Sequence, residues 1–111
     1  MANRPITITG VGADGSLIMS DHGIIHVDPG DMVTWIIGQS SGVSDITAIL
    51  NSGPVDVFAP KDPRLLSGSL NWQGKVNLKI PRGSTENYTI NYIKAEGNER
   101  GSFDPKIQVN S

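Results

Sequence analysis

His26-Val27-Asp28-Pro29-Gly30-Asp31-Met32-Val33-Thr34-Trp35-Ile36-Ile37 reads as two strands hinged on Asp-Pro-Gly-Asp. Proline fixes its own φ and glycine supplies a backbone geometry that other residues resist, so one strand has to end there before the next begins. Past the hinge, Val33, Trp35 and Ile37 alternate with Met32, Thr34 and Ile36, which places the indole and its apolar neighbours on one face of a pleated strand. The stretch predicts a sheet organised around a buried tryptophan.

Outward from this centre the same alternation recurs. Ile6-Thr7-Ile8-Thr9 predicts a first strand with Ile6 and Ile8 inward, and Ile24-Ile25-His26-Val27 a second with Ile25 and Val27 opposite His26. Ile46–Leu50, Val55–Phe58 and Lys75–Ile80 are read as strands, the last with Val76, Leu78 and Ile80 inward and its lysines outward. Tyr88-Thr89-Ile90-Asn91-Tyr92 and the pair Ile107 and Val109 complete the set. Nowhere does an apolar spacing of three and four residues persist for two helical turns. The expectation is an all-β, antiparallel Greek-key sandwich of seven to nine strands in one domain spanning residues 1–111.

Composition excludes several functions. The chain has no cysteine, so disulfides, thiolate metal ligands and sulfur nucleophiles are all ruled out. Nine basic against eleven acidic residues leave a net charge of -2, too balanced for electrostatic capture of nucleic acid or a membrane. Met1-Ala2-Asn3-Arg4-Pro5 has no apolar leader, and no run approaches membrane-spanning length, so a cytoplasmic location is expected.

Gly10-Val11-Gly12-Ala13-Asp14-Gly15 has the spacing of a dinucleotide-binding loop after a strand. That fingerprint needs a helix to follow, and Ser16–Gly23 is too short to be one, so a plain turn is expected. Ser20-Asp21-His22 holds the residue types of a hydrolase triad, yet sequence neighbours do not generally reach that geometry, and no nucleophile elbow surrounds Ser20. Met19, Asp21, His22 and His26 are the metal candidates. On one extended strand the two histidines share a face but stand about 13 Å apart, so a shared ion needs a turn, which Gly23 would supply. Asp28, Asp31 and Asp45 are expected to cap turns by accepting backbone amides.

Val27-Asp28-Pro29-Gly30-Asp31-Met32-Val33-Thr34-Trp35 resembles the Pro-Gly-Asp-x-Val-x-Trp segment of cupredoxin-like domains, the fold of small blue copper proteins. In that family a late strand carries alternate aromatics and then the copper-ligating Cys, followed by His and Met. Tyr88, Ile90 and Tyr92 occupy the comparable strand, with the Cys position near Tyr92 and the earlier His ligand near Val43, so no ligand is retained. Phe103-Asp104-Pro105-Lys106-Ile107-Gln108-Val109, with Trp72-x-Gly74, also resembles small uncharacterised bacterial proteins of this shape. The resemblance implies a copper-free sandwich, because a type 1 centre requires a thiolate.

The resulting expectation is a non-catalytic binding or interaction module without a cofactor, its partner a protein or glycan, its oligomeric state open. Contact is placed on two loops least explained by packing, Gly38–Asp45 and Ala59–Trp72, through Gln39, Ser41, Asp45, Lys61, Arg64 and Trp72. Two alternatives stand beside it: metal binding through His22, His26 and Asp21, and carbohydrate binding on Trp72, which Asn71 and Gln73 flank.

Overall fold

The computed structural model describes residues 3–59, 63–97 and 99–110. Ten strands run in order: β1 (Asn3–Val11), β2 (Leu17–Met19), β3 (Ile24–Val27), β4 (Met32–Ile37), β5 (Val43–Asn51), β6 (Arg64–Leu65), β7 (Trp72–Lys75), β8 (Thr85–Lys94), β9 (Arg100–Phe103) and β10 (Lys106–Val109). They form two sheets, one ordered β2-β1-β4-β7-β6 and the other β3-β10-β8-β5, with β9 also paired to β8. Among the described residues no helix is long and apolar enough to cross a membrane.

The sheets are mixed, which corrects the all-antiparallel expectation. β1 runs parallel to β4, and β3 parallel to β10. The reason is connectivity: after β2 the chain crosses to the other sheet through Ser20–Gly23, lays down β3, and returns through the hinge to set β4 beside β1 in the same direction.

The hinge folds as its residues dictate. Asp31 N–H donates to the Asp28 carbonyl at 3.1 Å, and Gly30 has φ of 88°. This is the type II turn that puts Pro second and requires Gly third. Beyond it, Val33 and Trp35 are fully enclosed, and Ile6, Ile8, Ile25, Val27, Tyr88, Ile90, Tyr92, Ile107 and Val109 join them in one core. The indole sits edge-on to Tyr88 and to Phe58, with ring centroids 5.7 and 5.9 Å away. Its N–H donates to the Tyr88 hydroxyl at 3.1 Å, so the polar atom of the core's largest side chain is satisfied across the two sheets.

Among the described residues the strands number ten where seven to nine were expected, β2 and the two-residue β6 being additions, and other assignments change. Val55–Phe58 is not a strand: Phe58 enters the core and makes a single bridge to Val76. Lys75–Ile80 stops being a strand after Lys75, and Leu78 is 63% exposed instead of inward. There the Asn77 side chain accepts the Lys79 N–H at 3.0 Å and its carbonyl accepts the Ile80 N–H at 3.2 Å. An asparagine offering the backbone its own bonds turns the chain despite the apolar alternation around it. In addition, β9 forms in Arg-Gly-Ser-Phe, to which the alternation assigned no strand, by pairing with β8 from Ile90 to Ile93.

Gly101 of β9 faces Tyr92 of β8, and a Cβ at Gly101 would lie 2.5 Å from the ring. Gly101→Ala is therefore expected to cost about 1–3 kcal/mol through overpacking, read as a lower urea midpoint. Adding Tyr92→Leu should recover part of that loss.

Candidate functional site

Parallel β1 and β4 release their following loops at the same end of the sandwich, and antiparallel β7 receives its leading segment there. The short link Gly38–Gly42 brings β5 in at that end, and β8 leaves there, since Val43 pairs with Lys94. Ala95 N–H donates to the Gly42 carbonyl at 2.9 Å, and the Tyr92 hydroxyl donates to the Gly15 carbonyl. Burial and the charge of Asp14 push the Tyr92 phenol up. Its ring thus ties the first loop to the core from beneath.

Between these loops lies an open hollow of about 500 Å³ lined by Val11, Gly12, Ala13, Gly42, Lys94, Glu96, Gly97 and Glu99. Its volume falls within the range of roughly 300–1,000 Å³ typical of ligand pockets. Lys94 Nζ stands 3.7 Å from a Glu99 carboxylate oxygen across the mouth. Both groups remain open to solvent, so the pair contributes little to stability and stays available to a partner.

The structure brings together only part of the anticipated contact set. The first loop is shorter than read: Val43, Ser44 and Asp45 belong to β5, and Asp45 is half-buried there. Gln39 is exposed at the loop end, whereas Ser41 is 3% exposed and its Oγ accepts the Val43 N–H at 3.3 Å, so it shapes the turn instead of facing a partner. In the second loop Arg64 is exposed on β6, next to exposed Leu65, with exposed Leu70 further along. Lys61 lies outside the described residues. Trp72 pairs with Trp35 across β4 and β7, is half-buried against the core, and has its indole N–H enclosed without a partner among the described residues. The lining from Val11, Gly12, Ala13, Lys94, Glu96, Gly97 and Glu99 was not anticipated. Its signal was the glycine run Gly10–Gly15, which was read only as a turn.

Met19 is buried in the core, Asp21 and His22 sit in the turn before β3, and His26 is exposed on that strand. His22 adopts φ of 57° and Gly23 of 88°, so the anticipated turn exists. Among the described residues no three His, Cys, Asp or Glu side chains gather closely enough to hold a metal ion. Asp21 accepts the Gly23 N–H at 3.0 Å through one oxygen, while the other is enclosed without a partner among the described residues. Burial pushes its carboxyl up, opposed by the Gly23 amide and the charge of His22. The folded state then holds the proton more tightly than the unfolded chain, so ionised Asp21 weakens the fold at neutral pH and protonation relieves this as pH falls. Asp21→Asn is expected to raise the melting temperature at pH 7, with the gain over wild type vanishing in acid.

Set against known protein families and curated proteins, the chain matches none. What the site does must come from its own chemistry.

Proposed function

We propose that this protein is a non-catalytic binding module on a copper-free, cupredoxin-like Greek-key sandwich, taking a protein or glycan partner at its loop-bearing end. The observation that supports this reading is the glycine-rimmed hollow between the loops after β1, β4 and β8; exposed Leu65, paired with Trp72, and exposed Leu70 lie on the other side of β4. A rigid two-sheet scaffold presenting short loops at one end is the arrangement in which binding surfaces vary without disturbing a core. At the two family ligand positions stand Val43, packed in the core, and Tyr92, whose hydroxyl serves the Gly15 carbonyl.

Ala13 is exposed at the rim, so Ala13→Trp fills the hollow without touching the core. A partner captured by the intact chain and identified by mass spectrometry is expected to be lost with Ala13→Trp while the melting temperature holds. Retention of that partner by the variant would place contact elsewhere and overturn this reading. Stoichiometric metal in protein purified without a polyhistidine tag, and lost with His22→Ala, would favour the metal-binding alternative. Quenching of Trp72 fluorescence by a sugar, abolished by Trp72→Phe, would favour the platform alternative.

A further inference from the structure

We propose a second binding site, for a carboxylated sugar, on the outer face of the second sheet, built from Arg100, Asn91, Ser102 and Thr47. It is independent of the loop-end reading. Asn91 and Ser102 are cross-strand partners on β8 and β9, and the β5 bulge between Ile46 and Ala48 turns Thr47 out beside Asn91. Arg100 stands one row above, paired with Ile93. With Tyr92 and Gly101 these residues line an open trough of about 350 Å³.

At several other places on the outer faces polar side chains bond one another. Thr85 bonds Gln108 at 2.9 Å, Thr89 donates to Asp104 at 2.7 Å, and Gln73 reaches Thr34 at 3.2 Å. In the trough they do not. Thr47 Oγ1 donates to the Asn91 carbonyl at 3.2 Å and keeps its lone pairs, and among the described residues no hydrogen bond or ion pair engages the side chains of Asn91, Ser102 or Arg100. Four neighbouring side chains thus offer a guanidinium fork, an amide and two hydroxyls to the same volume.

That inventory selects a ligand. The planar fork of Arg100 matches a carboxylate bidentately. Asn91 supplies two donors and an acceptor, and Ser102 and Thr47 accept or donate as needed, which suits ring hydroxyls in either sense. No acid lines the trough. Asp104 is bonded by Thr89, Glu99 pairs with Lys94, and Asp45 stands two strands from Arg100, about 10 Å at the usual strand spacing. A single cation amid amide and hydroxyl groups fits one carboxylate on a hydroxylated ring, a uronic acid, better than a phosphate, which draws several cations or backbone amides.

The test is a 15N titration of the full chain with digalacturonate, with neutral galactobiose and acetate in parallel. Digalacturonate should shift the Asn91 side-chain amide, the Ser102 amide and the Arg100 Nε resonance. Binding should weaken about tenfold or more with Arg100→Gln, and clearly with Arg100→Lys, which keeps charge but not the fork. Galactobiose should bind at least about tenfold more weakly than digalacturonate. All of these side chains are at the surface, so an unchanged melting temperature separates lost binding from lost folding. No shift in the trough, equal response to galactobiose, a response to acetate as strong as to digalacturonate, or undiminished binding by Arg100→Gln would each overturn the proposal.

Discussion

Replacing Trp35 with alanine is expected to destabilise the protein by about 3–5 kcal/mol. Against a total on the order of 5–15 kcal/mol for a small domain, that is enough to leave a measurable unfolded population in plain buffer. The indole is completely enclosed, edge-on to two other rings, and its N–H is spent on Tyr88 in the facing sheet. Alanine therefore opens a cavity in the core and removes a polar tie across it. Burial also holds the Tyr88 phenol far above its ordinary range. Below about pH 10 this tyrosine is neutral in both states, but above it only the unfolded chain ionises, so wild-type stability should fall in alkali. Urea denaturation followed by far-ultraviolet circular dichroism reads both effects. Trp35→Phe should lose less, and a cycle with Tyr88→Phe isolates the hydrogen bond.

Asp31→Ala carries the second largest expected loss, about 2–3 kcal/mol. Its side chain is 4% exposed and one oxygen accepts both Arg4 Nε at 2.8 Å and the Asp28 N–H at 2.8 Å. Around it Arg4 also reaches Asp28 at 3.4 Å, Arg82 reaches Asp28 at 3.5 Å, and Asn110 donates to Asp28 at 3.2 Å. The hinge turn thus binds the first strand, the turn before β8 and the residue after β10 at the end opposite the hollow. Arg4 stays partly in water and keeps Asp28, which holds the loss below that of stranding a fully buried charge. Asp28→Ala should cost less, and its effect should shrink in high salt, because that carboxylate is half-exposed. Chemical denaturation of both variants at low and high salt checks the ordering.

The sequence shows clearly those parts of the fold where one sheet face is buried and the other wet. Ile6 with Ile8, Val33 with Trp35, and Tyr88 with Ile90 and Tyr92 alternate because a one-residue slip would expose each set. The pattern reads faces and not partners, however. It does not show that β1 and β4 run parallel, and so does not show that the loops after them meet. Val76, Leu78 and Ile80 kept the pattern while Asn77 broke the strand, since a side chain's own bond to the backbone leaves no periodic trace. β9 forms from residues with no apolar alternation because its partner β8 supplies the ladder. The Arg4–Asp31 pair, 27 residues apart, and the gathering of Arg100, Asn91 and Thr47 likewise depend on register. The candidate sites were therefore visible as residue types and loops, and invisible as places.

The claim underlying both the stability and the rigid presentation of the loops is that Trp35 joins the two sheets from inside. Hydrogen exchange at the Trp35 indole nitrogen tests it directly. The indole proton should exchange only through global unfolding, at a rate that follows the denaturation free energy and rises when Tyr88→Phe removes its acceptor. Exchange within minutes in the native protein, at a rate indifferent to Tyr88→Phe, would contradict the account.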